Sequence, residues 1–428
     1  DLFNFSSRKA EENMTIDDFC SVLGFDHAAK HILEDVWEEA ARTAPQGIPP
    51  FMTMDFCRRY YPHTGGDPEL LKRMEEVCRI VAKTPEAAFY AWLLHYSVFH
   101  RTPAANFGSL PLPVKLFGEN AGVFQLMFAV SAIPMIEATV ERLNIPEQYA
   151  LDIAKWIGGT IQIFAEGHNG LPGHTLQQSG WIRHYIDGRL FRIGRFEYLM
   201  HTCPDWVPAI YRNRKDGSLM VFCRDNWRFM PDGSIPLITT PAQELVSTKL
   251  KILDNHVTGT PITPDGKVLI RRKVTIDLAE WEGICQPWEL VPSIHIPGGG
   301  GMKPELVKQS MLDAKEFFRK YFKQDVKLFV CASWILNPDW ETELPDSNLA
   351  KFMREGYMTP FGKAGGRDGI FFIFGRMDNE DPLTYPAHNT MQQAFHRLLK
   401  AGRPLRSGAI FFLTDKLDRF GTQYYRSR

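Results

Sequence analysis

Val291-Pro-Ser-Ile-His-Ile-Pro-Gly-Gly-Gly-Gly-Met-Lys-Pro304 runs from an alternating segment into four consecutive glycines and then into a proline-led helical pattern. Glycine adopts positive φ at little cost, and a helix start presents unbonded N–H groups at the positive end of its macrodipole. Strand, glycine turn and helix together form the architecture of an anion cradle, suited to a phosphate or pyrophosphate. A tight turn of four glycines with no ligand is the other reading, and the flanking sequence has to decide between them.

Working outward, alternation over 289–296 puts Leu290, Ile294 and Ile296 on one face and Val291, Ser293 and His295 on the other. His295 therefore stands beside the glycines. After them, Val307, Met311, Ala314, Phe317, Phe318 and Tyr321 mark the buried side of an amphipathic helix over 304–322. In a second strand over 326–336, Phe329, Cys331 and Ser333 share one face, and Leu328, Val330 and Trp334 the other. If the two strands are parallel neighbours, polar groups at their carboxyl ends gather where open α/β sheets bind ligands.

A chain of 428 residues predicts two or three domains. Its 49 basic and 50 acidic residues nearly cancel, which argues against a nucleic-acid or polybasic membrane surface and leaves small molecules or proteins as partners. The apolar stretch 121–138 holds one charge, Glu137, and is interrupted by Gln125, Ser131 and Pro134; it predicts a buried helix rather than a membrane span. Seven scattered cysteines without a Cys-x-x-Cys pair suggest neither a disulfide framework nor a zinc ribbon, and fit a reducing cytoplasm. His63, His95, His100, His168, His174, His184 and His201 lack helical His-x-x-x-His spacing, so no metal site is expected. Phosphate-loop, dinucleotide and nucleophile-elbow motifs are absent too.

Long helical periods fill 1–178, including Ala29, Ile32, Leu33, Val36, Trp37 and Ala40 behind an Asp26 cap, and an aromatic stripe of Phe89, Trp92, Tyr96 and Phe99. The Gly-rich bend 166–173 reads as a domain-boundary loop lining a cleft, with His168 and His174 beside it. From 179 to 428 the pattern turns to short β-like runs: a long strand over 189–200, a hairpin of 208–212 and 218–224, strands at 250–254 and 267–276 around Pro264-Asp265-Gly266, and later strands at 369–374 and 407–415. The fold class is therefore α+β: a helical N-terminal domain followed by a mixed α/β domain.

Gly188-Arg-Leu-Phe-Arg-Ile-Gly-Arg-Phe-Glu-Tyr198, Gly259-Thr-Pro-Ile-Thr-Pro-Asp-Gly266, Ser293-Ile-His-Ile-Pro-Gly-Gly299, Cys331-Ala-Ser-Trp334 and Asp346-Ser-Asn348 carry a more specific likeness. Together they resemble a bacterial family of largely uncharacterised proteins in which a helical acyltransferase-type domain precedes a GNAT-like C-terminal domain. The resemblance implies an acyl-coenzyme A or acetyl-coenzyme A dependent N-acyltransferase, acting on an amine by direct attack on the thioester; a GNAT-derived sensing protein that has lost catalysis is the alternative. It implies a coenzyme site at Ile296, Gly298, Gly299, Gly300 and Gly301, with Ser347 and Asn348 as further contacts or as a helix cap. His295 is then the candidate general base and Glu197 a second candidate, while Cys331 and Ser333 are candidates for protonating the thiolate, or for Cys331 carrying the acyl group. Two departures stand out. The GNAT pyrophosphate motif opens with Gln or Arg and this loop does not, and the family's Cys-His-Ser-Trp has Ala332 in place of the imidazole.

Overall fold

The structure is a computed structural model that describes residues 14–101, 107–298, 300–376 and 380–427. It divides into two compact units between Phe191 and Arg192.

The first unit is built of helices, among them Ile16–Leu23, His27–Thr43, Leu70–Val81, Pro85–His95, Ala121–Val130, Ile133–Arg142, Gln148–Gly167 and Leu176–Ile186. Asp26 caps the second of these by accepting from Ala29 N–H, as the spacing predicts. Edge-on rings form the core, Trp37 against Phe19 and Phe89 with centroids 5.0 and 4.8 Å apart. The aromatic stripe lies on a helix buried nearly all round, its best-covered residues being Ala87, Tyr90, Ala91, Leu93 and Leu94. The one described helical stretch long and apolar enough to cross a membrane is Val114–Arg142, and 78% of its apolar 18-residue window is buried.

The Gly-rich bend departs from expectation. Its first residues finish the helix Gln148–Gly167, and its last, Gly173, packs backbone to backbone on Gly122, where any β-carbon would meet the Gly122 Cα at 2.6 Å. His174 is fully buried, its Nδ1 2.8 Å from Thr160 Oγ1 and its Nε2 2.9 Å from Ser179 Oγ. It lines no cleft. His27 and His31 do share i,i+4 spacing, but no cluster of three or more ligating side chains exists among the described residues.

The second unit is centred on a six-stranded sheet whose strands, in spatial order, are β1 (Leu190–Ile193), β2 (Phe196–Leu199), β11 (Ser293–His295), β12 (Leu328–Ser333), β14 (Gly408–Leu413) and β13 (Tyr357–Pro360), the first beginning two residues before the boundary. The single long strand expected over 189–200 is instead a hairpin, because Gly194 at φ +60 turns the chain between β1 and β2. Residues 369–374, expected as a strand, form the short helix Ile370–Phe374 with Ile370 and Phe374 buried four residues apart; a short apolar run does not reveal its period.

Between β2 and β11 lie three small sheets, formed by β3 (Ala209–Asn213), β4 (Leu219–Phe222) and β10 (Trp281–Gly283); β5 (Arg228–Phe229) and β6 (Val246–Ser247); and β7 (Lys251–Leu253), β8 (His256–Gly259) and β9 (Val274–Asp277). β3 and β4 pair as the sequence predicts. β7 turns into β8 across Asp254 and Asn255, both at positive φ, rather than across Pro264-Asp265-Gly266.

Helix α1 (Pro304–Phe322) and helix α2 (Asn348–Glu355) cover one face of the large sheet, with Tyr198 and Phe318 both packed on Phe329. The segment between β2 and β11 covers the other, where Val207, Val221 and Ile262 meet Val330, Tyr357 and Phe411. Ser310 anchors α1 to the first hairpin: its hydroxyl donates to the Ile193 carbonyl at 2.5 Å and accepts from Phe196 N–H at 3.2 Å.

Burial holds His174 neutral, lowering its pKa to about 3, and His95 likewise. An unfolded histidine titrates near 6.5, so the unfolded chain binds more protons between those values; the stability these side chains contribute is complete above about pH 6.5 and is lost as pH falls toward 3. Thermal melting should show a midpoint that drops through that window, with a shallower drop in His174→Gln. An unchanged acid slope in that variant would show that His174 is not one of the groups responsible.

Candidate active site

β11 is held by different neighbours along its length. On one side it pairs antiparallel with β2 throughout: Ser293 with Leu199, Ile294 with Tyr198 and His295 with Glu197. On the other, its parallel ladder with β12 has a single register pair, Ser293 with Val330. Beyond it the two strands part, while β12 remains paired with β14 as far as Ser333 opposite Gly408. The parallel ladder thus ends two residues short of the carboxyl end of β11, next to the glycine loop.

Directly opposed residues in an antiparallel pair project to the same face, with β-carbons roughly 5 Å apart. Glu197 and His295 are therefore brought together although 98 positions separate them in sequence. Glu197 is 2% exposed and His295 half-buried. The pairing puts a carboxyl group and an imidazole, an acid–base couple, on one face.

The register decides against two other candidates. Ser293 lies beside Val330, so His295 shares its face with Val330 and Ala332, while Cys331 and Ser333 point with Ile294 to the opposite face beneath α1. Cys331 is 1% exposed, and burial pushes its thiol up to about 12, which removes the thiolate that a nucleophile needs. The Ser333 hydroxyl caps the short helix Trp334–Leu336, accepting from Ile335 N–H at 3.3 Å. Neither meets His295. Ser347 likewise serves as the cap of α2, accepting from Ala350 N–H at 3.0 Å and donating to the Leu344 carbonyl at 2.7 Å, and Asn348 is the first residue of that helix. The geometry commits both to the helix start.

Ile296 is half-buried and Pro297 buried; Gly298 is exposed, and Gly299 lies outside the described residues. Gly300 and Gly301 have φ of +69 and +64, so the loop requires glycine for its backbone; any other residue at either costs about 1–2 kcal/mol. α1 follows with Pro304 in its first turn and no side-chain cap, which leaves its leading N–H groups to other acceptors. Exposed Lys303 adds positive charge at this end and exposed Glu305 offsets it.

Arg195 was not singled out by the sequence, and it supplies what the loop's own sequence lacks. Its Nε donates to the Gly301 carbonyl at 2.5 Å, and its guanidinium carbon lies 4.0 Å from where a Gly300 β-carbon would sit. Burial, and then the charge of Arg192, lower its pKa, although a guanidinium stays charged. Among the described residues it forms no ion pair. The Gly194 turn sets it on the loop, and the only sequence hint was the phrase Gly194-Arg-Phe-Glu-Tyr198 itself.

Solved structures share the fold. Three solved structures align over 94% of this chain at 17% identity: an acyltransferase in complex with decanoyl-CoA and teicoplanin (TM-score 0.59, all of that chain covered), one in complex with CoA and 10C-teicoplanin (0.59, all covered), and an acyltransferase mutant in complex with octanoyl-CoA (0.57, 99% covered). At that identity the likeness is one of fold. No curated protein matches. The family model for a GNAT-like C-terminal domain matches residues 190–411, from β1 into β14, more than half of the chain. The chain belongs to the family defined by that GNAT-like C-terminal domain.

Proposed function

We propose that this chain is an acyl-coenzyme A dependent acyltransferase that passes the acyl group directly from the thioester to an amine. The observation that carries the reading is the parting of β11 from β12 after one register pair, with the glycine loop at the mouth of the gap and Glu197 and His295 on its wall. The fold neighbours are in complex with decanoyl-CoA, CoA or octanoyl-CoA, and two of them also with teicoplanin or 10C-teicoplanin, which supports a small-molecule donor and acceptor here. Gly298, Gly300 and Gly301, the start of α1 and Arg195 are suited to hold the donor's phosphates. The β11 strand edge freed by the parting presents backbone N–H groups for a developing oxyanion. His295, with Glu197 beside it, takes the proton of the attacking amine. All seven cysteines are free thiols, consistent with a cytoplasmic location as part of the same proposal.

A charge-assisted hydrogen bond contributes about 1.5–3 kcal/mol. Arg195→Ala should therefore weaken coenzyme A binding about 10- to 100-fold in calorimetry. Equal affinities would remove Arg195 from the site. His295→Ala should lower the rate of transfer to a primary amine about a hundredfold or more while leaving donor affinity close to that of the parent. Ala332 in place of the family's histidine favours a second reading, a binding protein without catalysis. Donor binding without any transfer in the parent chain, across a panel of amines, would select it.

A further inference from the structure

Deeper along the same face, two residues before His295, lies a hydroxyl–imidazole pair that direct transfer does not use. Ser293 is 5% exposed, at the single point where β11 still touches β12. Its Oγ makes a short hydrogen bond with Nε2 of His201, which the Val291 N–H holds in place by donating to the His201 carbonyl at 3.0 Å. His201 Nδ1 lies 2.8 Å from the Thr202 carbonyl. A carbonyl only accepts, so Nδ1 carries the ring proton. Burial favours the neutral ring, so Nε2 offers a lone pair and Ser293 must be the donor. An imidazole whose tautomer is fixed by an acceptor on one nitrogen, and which takes the hydroxyl proton on the other, is the arrangement that activates a serine nucleophile.

We propose that Ser293, activated by His201, is a second acyl acceptor where β11 parts from β12, giving the protein a thioester hydrolase activity when no amine is bound. The proposal rests on acyl-coenzyme A entering between β11 and β12. Ser293 Oγ attacks the thioester carbonyl carbon and its proton passes to His201 Nε2. The C–S bond breaks, and the departing thiolate takes that proton to leave as the free thiol. Water then attacks the acyl-serine ester, giving its proton to Nε2. The C–Oγ bond breaks, Ser293 recovers the proton, and the carboxylic acid leaves. The resting tautomer, with its proton on Nδ1, leaves Nε2 free to take the Ser293 proton in the first step and to return it to the thiolate in the second.

The test uses the full chain with octanoyl-coenzyme A and no amine, following thiol release and the mass of the peptide that contains Ser293. We expect slow turnover, an octanoyl increment on Ser293 after rapid quenching, and a loss on the order of a hundredfold or more in Ser293→Ala and His201→Gln. A fluorophosphonate probe, which needs no coenzyme site, should label Ser293 in the parent and lose that labelling in His201→Gln. Octanoyl-coenzyme A that binds by calorimetry but leaves neither free thiol nor adduct would overturn the proposal, as would fluorophosphonate that leaves Ser293 unmodified. If octanoyl-coenzyme A does not bind while the fluorophosphonate labels Ser293, the coenzyme reading falls and the activated serine stands for another acyl donor.

Discussion

Everything at this site depends on β11 being laddered fully on one side and at one position on the other. The antiparallel pairing with β2 fixes the strand and aligns Glu197 with His295, while the lone pair Ser293–Val330 lets the strands separate past it. A continuous parallel ladder would close the gap and turn His295 into a side chain over a closed sheet. Separation is tolerated because β12 keeps its other edge on β14 over its whole length. Acidic residues after β12 brace that wall: Asp339 binds Arg403 and Arg406, and Glu341 holds Arg426 through two bonds of 2.6 and 2.7 Å.

The second constraint is the seating of α1. Ser310 bonds to both strands of the first hairpin, and Gly194 allows the close approach, with a β-carbon there already 3.3 Å from Ser310 Cβ. The same turn puts Arg195 on the glycine loop. One local feature thus orients the helix that follows the glycine loop and sets a cation beside that loop. The missing Gln or Arg of the usual pyrophosphate motif is a gap in the loop's sequence, not in its charge.

Much of this was legible in the residues. The strand–glycine–helix order, the face of α1, the alternation that puts His295 with Ser293 and the helical character of the first unit follow from periods of 2 and 3.6. What escaped needs information held between segments. Whether Cys331 or Ala332 faces His295 depends on the register of two strands joined by a loop and a 19-residue helix, and a shift of one residue reverses the answer. Arg195 and His201 reach the site through a hairpin turn and a bond from Val291, both invisible to single-segment patterns. Asp254-Asn255 is as good a turn signal as Pro264-Asp265-Gly266, since Asn and Asp both tolerate positive φ, and local sequence does not rank the two.

The claim on which the rest stands is that the donor lies between β11 and β12 with its phosphates on the glycine loop. Amide hydrogen exchange of the full chain, with and without saturating acyl-coenzyme A, tests it most directly. The account predicts added protection confined chiefly to His295 and Ile296, to Gly300 through Leu306, and to the carboxyl end of β12. Binding accompanied by protection elsewhere, with those amides unchanged, would contradict it.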